Sequence, residues 1–418
     1  MDTSTELSSQ ERLQTRSDET VPAYPMDRAP RCPFDPAPEL RSLDEGGPLN
    51  RVRLWDRSTP WLVTGYAEQR QLLADPRVSA DTKNPGYPHP TPATRARREQ
   101  ARTFLSMDDP EHARMRRMVT GSFAIKRVEA MRPAIQQIVD NLIDQLLDGP
   151  RPVDLVQAFA LPVPSLVICE LLGVPYADHA FFQRNSSTLV NSGSSAEAGL
   201  EAQSNLVEYL NDLIGRKLAS PADDLLSLLA AEQVATGALT QRELAVTSVL
   251  LLIAGHETTA NMIALGTVAL LEHPEQLADL RGTDDPAFVA GAVEELLRYL
   301  NITHFGRRRV ALTDIPVGGH TIRAGEGIVL ANEVGNRDQE VFPDPDRLDL
   351  HRDARRHVAF GFGPHQCLGQ PLARVELQVA YRTLYRRIPD LRLAVALEDV
   401  RFKHDGLVYG VYELPVTW

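Results

Sequence analysis

Phe360-Gly361-Phe362-Gly363-Pro364-His365-Gln366-Cys367-Leu368-Gly369 sets one cysteine in a glycine-flanked loop that opens directly into a helical stretch. A helix N-terminus and the backbone N–H groups beside it stabilise negative charge on sulfur, so a thiol there is expected to be lowered in pKa and to stay deprotonated against a metal. Gly363 and Gly369 suit close backbone approach to a flat macrocycle, and Phe360 can cover its face. A lone cysteine is ordinarily a small buried hydrophobe. What sets Cys367 apart is the pattern of its neighbours.

At 418 residues the chain has room for one large domain or about three average ones. Cys32, Cys169 and Cys367 make no even disulfide framework, which fits a reducing compartment such as the cytoplasm. Residues 1–24 are polar and lack an apolar run, so they read as a flexible tail, with no signal or membrane anchor. The net charge of -12 argues against a nucleic-acid binder, which carries a basic surplus. Against that acidic total, Arg114, Arg116 and Arg117 gather in one segment, and Arg352, Arg355 and Arg356 in another just before the cysteine loop. Such runs are ordinarily solvated faces.

Arg51 to Trp55 and Trp61 to Thr64 read as strands around Pro60. Residues 82–103, rich in Pro, Thr and Arg, have no periodicity and read as a functional loop or as disorder. From Glu111 to about Ala290 helical spacing dominates, as in Ile135 to Leu147, Leu206 to Leu218 and Asp223 to Ala231. The longest helix candidate runs from Thr240 to Glu272 and opens on a capping box of Thr240 with Glu243. Its apolar runs could be taken for a membrane span. An acid at its centre, in His256-Glu257-Thr258-Thr259, would be costly in lipid, so a helix through the middle of a large fold is expected. Extended runs follow at Ile322 and Ile328 to Leu330, then an Asp- and Pro-rich loop, the cysteine, and a last helix over Gln370 to Arg387. The fold class is α+β, mostly α.

The cysteine loop matches F-G-x-G-x-H-x-C-x-G at every fixed position and resembles the heme-binding loop of the cytochrome P-450 family, most closely its soluble, actinomycete-like bacterial members. The resemblance covers residues 25–418. It implies the P-450 fold, a single large helical domain with a smaller β-rich region, holding heme b (iron protoporphyrin IX) with Cys367 as the iron ligand. A single domain also suits the spread of the motifs, at residues 112–116, 254–259, 295–298 and 360–369, which must all surround one cofactor.

Ala254-Gly255-His256-Glu257-Thr258-Thr259 matches the family's oxygen-activation pattern of small residue, Gly, any residue, acid, Thr. Gly255 lets the helix pass close over the heme, and the Thr258 hydroxyl can loosen the backbone ladder by bonding to it. Thr258 is expected to hold bound O2 by a hydrogen bond while Glu257 relays protons from solvent. The alternative is a polar kink with Glu257 in a structural ion pair. His256 reads as structural or gating.

His112 and Arg116 lie four residues apart on one helix face that suits a carboxylate. The resemblance assigns both to the heme propionates, together with Arg309 and His365, and adds Ala254, Gly255, Phe360, Gly361 and Gly369 to the cofactor contacts. Glu295-Leu296-Leu297-Arg298 matches the family's E-x-x-R element, and Phe342 to Leu348 looks like the loop whose arginine closes a triad with it, although Leu348 stands where an aromatic is usual. Glu295, Arg298 and Arg347 are therefore expected to form a buried network bracing the thiolate loop.

The sequence has no G-x-G-x-x-G after a strand and no cysteine cluster, so electrons are expected from a ferredoxin and an NAD(P)H-dependent ferredoxin reductase. The implied activity is a monooxygenase that uses O2 to hydroxylate or epoxidise an apolar small molecule, a secondary metabolite or xenobiotic. A peroxide-driven peroxygenase and a non-catalytic heme sensor or carrier are the alternatives. A cytoplasmic monomer is expected, with the two arginine clusters steering an acidic ferredoxin to the proximal side. The pocket should draw on residues 82–103, residues about 181–200, Val249 to Thr258, and Leu300 to Gly306. Those stretches hold no diagnostic charge pair, so the expected substrate is an uncharged, drug-sized natural product such as a macrolide, terpenoid or steroid.

Overall fold

The computed structural model describes residues 21–29, 32–96, 103–190 and 195–418. Most of the expected tail and part of the 82–103 loop lie outside them. A helix of 31 residues, Gln241–Leu271, runs through the centre and begins where the capping box places it. The Thr240 hydroxyl accepts from the Glu243 N–H at 3.2 Å, and the Glu243 carboxylate accepts from the Thr240 N–H at 2.7 Å. Two donors that a helix start leaves unpaired are thus satisfied reciprocally. Among the described residues this helix alone is long and apolar enough to cross a membrane, and 72% of its apolar window is buried inside the fold. It is apolar all round because helices cover it on several sides: Pro162–Leu172, His179–Val190, Ala196–Ala219 and Gln370–Arg387.

The last of these, the C-terminal helix, has the bounds its periodicity predicts. It lies against the central helix so closely that a Cβ at Gly266 would stand 2.0 Å from the Tyr381 hydroxyl. That hydroxyl donates to the Met262 carbonyl, and the Tyr385 hydroxyl donates to the Thr267 carbonyl at 3.4 Å. The two helices therefore run in the same direction. The Asp223 to Ala231 stretch is helical over Leu225–Leu229 and then widens into a π turn, Ala230–Val234.

The larger sheet joins β1 (Leu49–Arg51), β2 (Trp61–Val63), β3 (Val78–Ser79), β4 (Arg307–Ala311) and β5 (Gly327–Leu330) in the order β1-β2-β5-β4-β3. β2 and β5 pair in parallel, Trp61 opposite Ile328, and the other pairs are antiparallel. The expected strand from Arg51 to Trp55 ends at Arg51, because the chain closes there into a hairpin in which the Val52 N–H bonds Pro60 O and the Leu54 N–H bonds Ser58 O. Along β4 side chains alternate. Arg308 donates to Phe305 O at 3.0 Å and Pro88 O at 2.8 Å, which leaves Arg307 and Arg309 on the opposite face. A smaller sheet joins Val153–Asp154, Arg392–Leu393 and Pro415–Thr417.

Candidate active site

The cysteine loop closes on itself through the Cys367 N–H donating to Phe360 O at 2.9 Å and the Gln366 N–H donating to Gly363 O at 3.0 Å. Gly361 and Gly363 have φ of 75° and 71°, a region that side chains resist. A Cβ on Gly363 would stand 2.3 Å from Leu73 O, so this glycine lets the loop seat closely on the helix Tyr66–Ala74. Gly361 faces the Arg307 guanidinium. Gly369 lines a cavity, with nothing within 4 Å of where its Cβ would be. Phe360 also lines it, under the Arg374 guanidinium 4.7 Å from the ring centre.

Burial pushes the Cys367 thiol up, against the opposing pull of Arg307, the Gly369 N–H, Arg116 and Arg374. The expectation that the loop by itself lowers this pKa is thereby corrected. Lost hydration outweighs the helix start, and it is a coordinating metal that would remove the proton outright. Burial pushes Cys169 up to about 12, and it lies in the apolar core.

His112 is buried, with Nδ1 3.0 Å from Asp109 Oδ1, and its ring stacks on His365 at 4.0 Å between centres. Its Nε2 finds no hydrogen-bond partner. Arg116 lines the cavity and donates to Gln366 O at 2.5 Å. Burial lowers His365 to about 3, with Arg309, His112 and Arg116 adding to the shift. Arg309 is buried beside His365 and donates to Arg308 O at 2.7 Å. Arg307, which the sequence reading passed over, is on the cavity wall; burial lowers it to about 10, and its Nε has no partner. The period-2 alternation of β4 was the signal that would have paired it with Arg309.

On the central helix, Ala254, Gly255, Thr258 and Thr259 line the cavity, whereas Glu257 and His256 do not. The Thr258 hydroxyl donates to Ala254 O at 2.6 Å. Glu257 is buried and turned the other way. Its Oε2 lies 3.8 Å from Lys403 Nζ and accepts from Asn261 Nδ2 at 3.4 Å. Burial raises its pKa, while Lys403 and Asn261 pull it down. Lys403 belongs to a C-terminal segment whose Gly410 packs on Asn261, a contact that no helical or strand periodicity announces.

Glu295 and Arg298 form a fully buried pair at 2.7 and 2.8 Å. The third member of the network is Arg352, whose Nε lies 3.2 Å from Glu295 Oε1; the expected Arg347 is exposed and pairs with Asp349. Arg347 takes part only through its carbonyl, which accepts from Arg298 and Arg352. One helix residue earlier, Glu294 binds His357 at 3.1 Å and Arg374 at 2.6 and 3.0 Å, a second brace across the loop that the sequence reading missed.

The cavity has about 1330 Å³ of space free of atoms, part of it open to solvent. Leu250 to Thr259 and Leu300 to Thr303 contribute to the wall as expected. The described parts of 82–103 and 181–200 do not; the wall begins at Phe104 and Leu105 instead. The residues present fit a heme: a sulfur and an open glycine in one wall, and two buried nitrogens, His112 Nε2 and Arg307 Nε, without partners at the margin. Propionates are the acceptors such donors lack.

Known proteins share this architecture. The cytochrome P450 family model matches residues 287–387. The chain is 54% identical over 402 residues to cytochrome P450 GfsF of Streptomyces halstedii, covering 96% of this chain and 97% of that one. The crystal structure of GfsF superposes with a TM-score of 0.91 over 95% of this chain and all of that one. Pentalenic acid synthase of Streptomyces avermitilis is 51% identical, covering 95% and 97% of the two chains. The crystal structure of the mycinamicin VIII C21 methyl hydroxylase MycCI of Micromonospora griseorubida, bound to mycinamicin VIII, is 42% identical with a TM-score of 0.88, covering 95% of this chain and 100% of that one. With such identity sustained along nearly its whole length, this chain belongs to the cytochrome P450 family and is a heme b monooxygenase.

Proposed function

We propose that residues 25–418 act as one ferredoxin-driven domain, in the cytoplasm, that hydroxylates or epoxidises an uncharged, drug-sized secondary metabolite. The carrying observation is a single cavity whose wall joins Cys367 to Ala254, Gly255 and Thr258, with apolar Phe104, Leu250, Leu297 and Leu300 between them. Cys367 is the iron ligand in this reading. His112, Arg116, Arg307, Arg309 and His365 hold the propionates, and Phe360, Gly361 and Gly369 shape the loop around the macrocycle. When bound, the heme supplies the oxygen chemistry, the thiolate donating electron density that favours O–O cleavage.

Protons enter from the other side of the central helix. Lys403, 19% exposed, connects buried Glu257 to the surface. Thr258 has its own hydrogen on Ala254 O, so its oxygen offers lone pairs to the cavity. Retention of this Glu257-Thr258 pair favours O2 over peroxide as the oxidant, since peroxide needs no proton relay to O2. The apolar wall supports an apolar substrate such as a macrolide or terpenoid, and relatives are named for the small molecules mycinamicin VIII and pentalenic acid.

For the electron partner, the support is charge. Arg352 is taken up by Glu295 and Arg355 by Asp353, which leaves Arg114, Arg117 and Arg356 as exposed charges for an acidic ferredoxin. The test is turnover of a compound selected by its displacement of axial water in the Soret band, with a surrogate ferredoxin, its reductase and NAD(P)H. Product is expected from that system. Product only with added peroxide would establish the peroxygenase, and none with either would establish a carrier.

A further inference from the structure

Between the helix Pro286–Tyr299 and β4 the chain crosses the cavity wall with neither helix nor strand, and Leu300, Asn301, Ile302 and Thr303 line the cavity there. Such backbone takes its shape from whatever binds its polar groups. Three consecutive carbonyls are each held. Asn301 O accepts from Arg28 Nη2 at 2.5 Å, Ile302 O from the Tyr409 N–H at 2.9 Å, and Thr303 O from Asn301 Nδ2 at 3.0 Å.

Arg28 comes from the start of the described chain and is itself fixed. It is 4% exposed, and the nitrogen that binds Asn301 O lies 3.3 Å from Oε2 of buried Glu333. Its guanidinium carbon stands 3.9 Å over the centre of the Tyr409 ring, so one side chain binds the first wall carbonyl and stacks on the residue that binds the second. The backbone before it is tied down as well. The Tyr24 N–H donates to Arg53 O at 2.9 Å and the Arg53 N–H to Pro22 O at 2.8 Å, so residues 22–24, expected in the flexible tail, are anchored to the fold. A buried ion pair is a poor source of stability, since apolar side chains of similar volume do as well or better. What a guanidinium does here that an apolar side chain could not is bind a carbonyl of the wall.

We propose that Arg28 is a specificity-determining residue: by holding the Asn301 carbonyl from behind the wall, it sets how Leu300 to Thr303 face the cavity and so which apolar molecule fits there. The inference rests on the reading of this cavity as the substrate pocket. Arg28 does not line the cavity and acts through backbone, which makes it a positioning residue. Without it the Asn301 carbonyl is left buried and unpaired, and the wall must turn toward another donor.

The test titrates ferric holoenzyme with imidazole and with N-dodecylimidazole, each read from the Soret shift as the ring nitrogen meets iron. Imidazole needs little of the wall, whereas the dodecyl chain lies along it. Arg28→Met with Glu333→Leu removes both charges together and strands neither, so heme content and Tm should stay near wild type. N-dodecylimidazole should bind this double variant several-fold more weakly, and imidazole as in wild type. Arg28→Lys keeps a charge for Glu333 but lacks the planar reach of a guanidinium, so it should show the same selective loss to a smaller degree. Unchanged N-dodecylimidazole affinity in the double variant, or an equal loss for both ligands, overturns the inference. Should the double variant fail to hold heme, Arg28→Lys carries the test, and unweakened N-dodecylimidazole binding there overturns it equally. Neither titration uses ferredoxin or turnover, so the result is independent of the electron donor and the oxidant. A wild type that binds both ligands equally would refute the pocket reading and the inference with it.

Discussion

Arg352 and Glu295, 57 residues apart in the chain, meet at 3.2 Å between Nε and Oε1 with both side chains almost wholly buried. Arg352 also donates to the carbonyls of Pro343, Asp344 and Arg347, so one guanidinium fixes the loop before the cysteine to the Glu295 helix. Removing one partner of a buried pair strands the other and costs about 3–5 kcal/mol, against about 0–1 kcal/mol for an exposed pair. Arg352→Ala should therefore lower heme content and Tm sharply, while Arg347→Ala changes neither measurably. The opposite ranking would return the triad to Arg347.

Cys367→Ser should abolish the red-shifted thiolate band of the reduced CO complex. Cys32→Ser should leave it in place. A normal band in Cys367→Ser would refute the ligand assignment.

Thr258→Ala should retain heme and substrate binding but divert reducing equivalents to peroxide or water, lowering product per NAD(P)H. Lys403→Met removes the positive charge that holds the Glu257 carboxyl down against its burial. The Glu257 pKa then rises further, so the pH at which coupling changes should move upward from its wild-type position. A pH profile identical to wild type would show that Lys403 is only a surface contact.

Burial alone would raise Glu294, but His357 and Arg374 outweigh it and hold the carboxyl at about 2, below its ordinary 4.5. A depressed carboxylate contributes stability above its unfolded pKa and loses it as pH falls through the folded one. Stability should therefore decline between pH 4.5 and about 2, with up to about 3 kcal/mol attributable to this group. Glu294→Gln should be less stable at pH 7 and flatter in that window, as denaturant midpoints across the range would show.

Charge reversal at Arg117 or Arg356 should slow ferredoxin-dependent turnover and flatten its salt dependence, while peroxide-supported turnover and substrate affinity stay near wild type. Arg355→Glu should do less, because Asp353 already neutralises that guanidinium. Equal losses in both assays would point to damaged heme binding instead.

Local chemistry explains what was legible in the sequence. The capping box, the long apolar helix, the bounds of the C-terminal helix and the Cys367 loop each depend on residues within a few positions of one another, where spacing alone sets hydrogen bonds and exposed faces. The Glu295–Arg298 pair was legible for the same reason, being one helical turn. What only the tertiary structure decided was which distant group completes each local one. Arg352 displaces Arg347 because the loop's backbone curvature, not its composition, turns one guanidinium inward and the other to solvent. Lys403 reaches Glu257 from the far end of the chain, and Arg307 joins the wall through strand alternation. Burial pushes the Cys367 thiol up because burial is a property of everything packed around the loop and is not encoded in the loop itself.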